Sequence, residues 1–279
     1  MKISMNKLKM PLRTRRCLPQ QPKPVNRIVL LGASNLTLSL RLVIRQIQYH
    51  CGGPSEVLAA VGHGRSYGQN SQVLIRELPG IIASSLWSQL DSGDAQPTYA
   101  FLTDIGNDIL YECLPAQILQ WVAWCVDQLQ KQSAQIVMTN LPIASIASLS
   151  EWRYQFFRNL FYPSCQLSRC EAIERARAVH QGLIELAARK QFELCEQNPQ
   201  WMSADGIHYA YWKRDALYRD IFEHFGTVPD QPGFAKGKQS FSQSWQQRPR
   251  FAYKKVWGKE KYTPQPSGLL ADNTMVSLY

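Results

Sequence analysis

Five short apolar segments recur along the chain: 27–32 (RIVLLG), 56–61 (EVLAAV), 98–103 (TYAFLT), 135–140 (QIVMTN) and 191–195 (QFELC). Runs of this kind suit strands buried on both faces. Between them the apolar residues fall at helical spacing. Leu36, Leu40, Val43, Ile44 and Ile47 share one stripe of 36–49. Residues 115–131 open with Pro115, a favoured first-turn residue, and 168–190 and 210–225 complete the helical set. Residues 69–90 read as two helices broken near Pro79. Strand–helix alternation predicts a parallel sheet with helices on both faces. The expected class is therefore α/β, a three-layer α/β/α sandwich around a five-stranded parallel sheet, formed by 27–226.

The two ends differ from this body. Residues 1–27 hold eight Lys and Arg and no acid, and 230–279 hold eight more against three acids. The remainder, 28–229, has fifteen basic and eighteen acidic side chains, although the whole chain carries +10. Any grip on nucleic acid or an anionic membrane must rest on the ends. Residues 1–26 are expected to be a basic disordered leader. Residues 227–279 have isolated aromatics (Trp245, Phe251, Tyr253, Trp257, Tyr262) but no period, and are expected to be a basic disordered tail. Seven cysteines without paired spacing point to reduced thiols and a cytoplasmic setting. Cys165 and Cys170 are the one close pair, with no second pair to complete a metal site. No apolar run reaches the roughly 18 residues of a membrane-spanning helix, and none follows the basic start as in a signal peptide.

Four short motifs follow strands or lie in loops on the edge where such folds bind ligands. Ser34, in GASN after the first strand, is either a helix cap or a nucleophile favoured by the potential at a helix start. VGHGRSYG (61–68) is either a flexible turn or a source of a backbone N–H for an oxyanion. As a dinucleotide loop it fails, since it follows the second strand and lacks the acid such a loop requires. DIGNDIL (104–110) is either a turn or the seat of Asn107, whose neutral amide can face developing negative charge. In ADGIHYAYW (204–212), Asp205 either caps a helix or holds the tautomer of His208, leaving the other ring nitrogen basic toward a serine. His50, His63, His180 and His224 read as surface or packing residues. The aromatic segment 150–163 places Trp152, Phe156 and Leu160 on one stripe beside Phe157 and Phe161. It reads as core packing or as an acyl pocket or lid.

These four blocks, in this order, resemble those of the SGNH hydrolases, also called GDSL esterases and lipases. Gly32-Ala33-Ser34-Asn35 matches the first block, Gly68 the second, Gly106-Asn107-Asp108 the third and Asp205-Gly206-Ile207-His208 the last. The likeness spans 27 to about 226. It implies a flavodoxin-like arrangement and an esterase, lipase or deacetylase with a Ser34–His208–Asp205 triad. Its oxyanion hole would consist of Ser34, Gly68 and Asn107, with no metal or organic cofactor. A small-molecule, glycan or lipid ester would be the substrate, and nucleic acid no obligate partner. An acyltransferase using the same site, or a catalytically weak relative whose basic ends bind an anionic partner, are the alternatives. An α/β-hydrolase fits less well, because Leu36 stands where Gly-x-Ser-x-Gly needs its second glycine. Ala33 departs from the first block, where the family has an acid that helps fix the loop.

Overall fold

The computed structural model describes residues 23–225 and 244–279. The expected leader lies outside the described residues except for 23–26, and the expected tail likewise up to 243. In chain order the elements are β1 (Asn26–Leu31), α1 (Ser34–Cys51), β2 (Ser55–Ala60), β3 (Ser71–Val73), β4 (Arg76–Leu78), α2 (Leu86–Ser92), β5 (Thr98–Leu102) and α3 (Asn107–Leu110). They continue with α4 (Pro115–Lys131), β6 (Gln135–Thr139), α5 (Ile143–Ser148), α6 (Glu151–Phe161), α7 (Arg169–Lys190), β7 (Glu193–Cys195) and α8 (Arg214–Phe222). The last are β8 (Trp245–Gln247), β9 (Tyr253–Val256), β10 (Lys259–Tyr262), β11 (Gly268–Leu270) and β12 (Met275–Leu278).

The five expected strands are parallel neighbours in the order β7-β6-β5-β1-β2. Alternate residues of each strand serve opposite cores. Ile28, Leu30, Val57 and Phe101 pack with α1 and α8, while Val29, Leu31, Leu58 and Leu102 pack with α4 and α7. Three layers result. The chain leaves β1 toward β2 on one side and later returns to place β5 on the other. The crevice between the carboxyl ends of β1 and β5 is thus the switch point where such sheets bind ligands.

Two expectations are corrected. The segment 69–78 is not helical: β3 and β4 form an antiparallel hairpin, β4 pairs onward with β9, and β9 with β10. The second partner of β4 comes from some 180 residues away, so tertiary pairing overrides a helix-like local pattern. Nor is the C-terminal region from 244 onward a disordered tail. β12 adds parallel to β2, with Val276 opposite Val57, and β11 and β8 extend the sheet to eight strands. Leu270 and Val276 are fully buried. Each of these strands is only three or four residues long, too short for its period to stand out from a loop-rich sequence.

The C-terminal strand also reaches the site-bearing loops. Arg65, fully buried, donates to the carbonyls of Val61 (3.1 Å) and Pro79 (3.1 Å) and to the backbone oxygen of Tyr279. A buried guanidinium with three carbonyl partners pins the 61–68 loop to β12.

Candidate active site

Ser34 is the first residue of α1, and its side chain caps nothing. Its Oγ lies 2.8 Å from Nε2 of His208, whose Nδ1 lies 2.6 Å from Oδ2 of Asp205. The structure therefore brings together three residues spread over 174 positions. The His208 turn is tied by Asp205 itself. Its Oδ1 accepts from the backbone N–H of Ile207 (3.0 Å) and His208 (2.9 Å) and from Ser203 Oγ (2.7 Å). Gly206 takes φ +71° to close the turn, a conformation glycine adopts without strain.

Protonation follows from these contacts. Burial pushes the Asp205 carboxyl up, but hydrogen bonds from the His208 ring, two backbone N–H groups and Ser203 outweigh it and hold it well below the usual range. Burial pulls His208 down, and the Asp205 hydrogen bond and charge, with help from Asp104, turn the net direction upward. Asp205 is therefore ionised across the working range and fixes the imidazole with its basic nitrogen toward the serine.

Asp104, which the sequence reading passed over, organises the serine turn. Its Oδ2 accepts from the backbone N–H of Ala33 (2.8 Å), Asn35 (3.1 Å) and Leu36 (3.4 Å), and its Oδ1 accepts from Asn35 Nδ2 (2.8 Å). This is a helix cap delivered from the next strand rather than from the turn itself. One N–H is passed over: that of Ser34 donates to no partner among the described residues. Asp104 itself sits at φ +61°, a conformation Asp tolerates better than most residues. A carboxylate thus holds the first-block loop although Ala33 is not an acid. Asn35 adds a second tie, donating to Ile207 O (3.1 Å) and accepting from Tyr209 N (2.9 Å). It joins the serine turn to the histidine turn. The proximity of a lone Asp to GND was the available signal for Asp104, but which turn it would cap depends on the sheet order.

The two remaining expected donors fare differently. Asn107 opens α3 and is buried, with Nδ2 a long 3.5 Å from the carbonyl of Arg65. Its neighbour Asp108 is fully buried and accepts from Ser66 Oγ and from Tyr67 N (3.0 Å), so the third block holds the second. Burial raises Asp108 to about 6, against those hydrogen bonds. Gly68 needs correction as an oxyanion donor. Its N–H donates to Ser66 Oγ (3.1 Å), and a Cβ there would come within 2.1 Å of the Trp121 indole. Close packing explains that glycine. Gly64 has the properties expected of Gly68: φ +63°, a carbonyl bound by Tyr111 Oη (2.6 Å), and an N–H without a partner among the described residues. His63, read as surface or packing, stands on this loop within the field of His208 and Arg76. Burial first, then those charges, lower its pKa.

Beside Asn107 and Ile207 opens an apolar cavity of about 100 Å³, lined by Ile105, Leu110, Leu141, Leu149, Phe157 and Phe161 among others. The expected stripe of α6 is rotated relative to this arrangement. Trp152, Phe156 and Leu160 face solvent, and Tyr154, Phe157 and Phe161 face the cavity. The Phe161 ring stands edge-on to His208 at 5.8 Å. Among the described residues no helix is long and apolar enough to cross a membrane.

No family model and no curated protein matches the chain. Among solved structures, the native aryl esterase of M. smegmatis is similar with a TM-score of 0.51 at 16% identity, over 72% of this chain and 98% of that one. Its inhibitor-bound form gives 0.49 at 15%, over 72% and 98%. A carbohydrate acetylesterase family member from Sinorhizobium meliloti gives 0.48 at 13%, over 71% and 95%. At such identities the likeness to the aryl esterase speaks of architecture, and it meets the four sequence blocks there: the chain has the fold of the SGNH hydrolases.

Proposed function

We propose that the protein is a serine hydrolase that cleaves carboxylic esters through Ser34, His208 and Asp205. The observation that carries this reading is the His208 ring spanning Ser34 Oγ at 2.8 Å and Asp205 Oδ2 at 2.6 Å. Ser34 Oγ attacks the ester carbonyl while His208 Nε2 takes its proton. Asp205 stabilises the imidazolium. The oxyanion is held by the backbone N–H groups of Ser34 and Gly64, which have no partner among the described residues, and by the Asn107 amide, Gly64 replacing Gly68 in this role. His208 returns its proton to the leaving alcohol. A water deprotonated by the same nitrogen then attacks the acyl-serine and releases the acid.

The adjoining cavity supports an apolar acyl group. An apolar void of ~150 Å³ holds benzene, so about 100 Å³ suits a chain of roughly four carbons. Ser34→Ala should abolish hydrolysis of aryl esters, and a serine-directed phosphonate should label Ser34 in the unaltered protein. Folded protein that resists labelling would sink the assignment. Phe157→Ala should move the preference toward longer aryl esters; a fall in melting temperature with unchanged preference would return Phe157 to packing alone.

A further inference from the structure

Two paired turns near the Gly64 loop put large apolar side chains in water. Leu74, at the β3–β4 turn, is 89% exposed, and Trp257, at the β9–β10 turn, 75%. Both have left-handed backbone, φ 54° and 53°, which bulky residues rarely adopt. A hydrogen bond from Trp257 N to Ile75 O (3.1 Å) sets the two tips side by side. Gly or Asn would make either turn with less strain; the chain instead holds a leucine and an indole outward. Elsewhere α6, whose other face lines the cavity, exposes Trp152, and the turn after His208 exposes Trp212, at 72% and 89%.

β3 and the residue that follows α6 meet at one loop. A Cβ on Gly64 would lie 2.7 Å from Val73 of β3 and 4.0 Å from the Tyr162 hydroxyl at the end of α6. Charge is sorted as well. Register places Lys261 opposite Lys254, Lys259 opposite Val256 and Arg76 opposite Val256, all on one face of this small sheet. That face has no carboxylate; Glu77 and Glu260 lie on the other, with Lys255. Lys213 and Arg214 follow Trp212.

Single exposed apolar residues need no explanation, but Leu74 and Trp257, side by side at two paired turns and next to a face of cations, mark a surface that rests on something. Alkyl and indole tips suit the boundary between headgroups and acyl chains, and lysines beside them suit anionic headgroups. A nucleic acid would meet the lysines but offer Leu74 nothing.

We propose that this pair of turns docks on the surface of an anionic lipid bilayer, with Leu74 and Trp257 at headgroup depth, and that the ester enters the Ser34 crevice from that surface. The second half rests on the hydrolase reading; the first does not. Sedimentation of the full chain carrying Ser34→Ala with phosphatidylcholine vesicles, with and without phosphatidylglycerol, tests the docking. Retention should be stronger with phosphatidylglycerol. It should fall about tenfold in Leu74→Ser/Trp257→Ser and several-fold in Lys254→Gln/Lys259→Gln/Lys261→Gln. Without Ser34→Ala, both combinations should still hydrolyse a soluble aryl ester. Retention unchanged by Leu74→Ser/Trp257→Ser overturns the proposal and assigns binding to the basic residues 1–27. So does an equal weakening on heparin, which would make the pair of turns a polyanion site. If Ser34→Ala leaves hydrolysis intact, the hydrolase reading fails while the vesicle result stands on its own.

Discussion

The turn that carries His208 is organised from within, and the turn that carries Ser34 from outside. Asp205 accepts from N–H groups two and three residues on and from the ring of His208. Asp104 accepts from three N–H groups about seventy residues earlier in the chain. The two carboxylates have different tasks. Asp205 governs a proton, because it sets which imidazole nitrogen is basic. Asp104 governs a position, because it captures the N–H groups around Ser34 and leaves that of Ser34 itself without a partner among the described residues.

The largest expected effect breaks the proton side of this pair. Asp205→Asn keeps the shape of the turn but removes the charge that fixes the tautomer, and kcat should fall about 10⁴-fold. Asp104→Ala strikes the position side. It leaves the Asp205–His208 contact intact and releases the serine turn, and a displacement of about 1 Å costs on the order of 10²-fold. Phosphonate labelling of Ser34 should slow in proportion. A loss equal to that of Asp205→Asn would mean that Asp104 also governs the proton, and the distinction would collapse.

The same contrast between local and distant partners decides what could be read from the sequence. Asp205 and His208 are three apart, so their pairing shows in a string of letters. β1, β2, β5, β6 and β7 are likewise visible, because strands buried on both faces leave apolar runs that need no partner to be recognised. Asp104 looks like turn chemistry until β5 is known to lie beside β1. Gly64 and Gly68 are equivalent as letters, and the Trp121 ring and the Ser66 hydroxyl tell them apart. β3, β4 and β8–β12 are short, and their place in the fold depends on β4 meeting β9 and β12 meeting β2, partners far apart in sequence. Their legibility should not be confused with their energetic weight. Val276 of β12 and Val57 of β2 are register partners and both fully buried. Val276→Ala and Val57→Ala should each lower unfolding free energy by about 2 kcal/mol in denaturant titration. A negligible cost at Val276 would demote β12 to an appendage, and the sheet would again be one of five strands.

The smallest effect is the most discriminating. In the proposed mechanism hydrolysis requires neutral His208, and its net shift is upward, so the acidic limb of kcat/KM should lie above the ordinary imidazole value near ~6.5. Each negative charge that favours the imidazolium contributes to that placement: Asp205 by hydrogen bond and charge, Asp104 by charge, with Arg214 opposing. Removing either carboxylate must move the limb toward lower pH. Asp205→Asn should move it further, because hydrogen bond and charge are lost together. Asp104→Asn should move it slightly, while its loss in rate follows from weaker capture of the serine turn. If Asp104→Asn shifted the limb as far as Asp205→Asn, the two aspartates would act on the imidazole alike. A rate loss with the limb unmoved would show Asp104 acting through geometry alone. The relation between limb position and rate in these two variants therefore separates charge from placement.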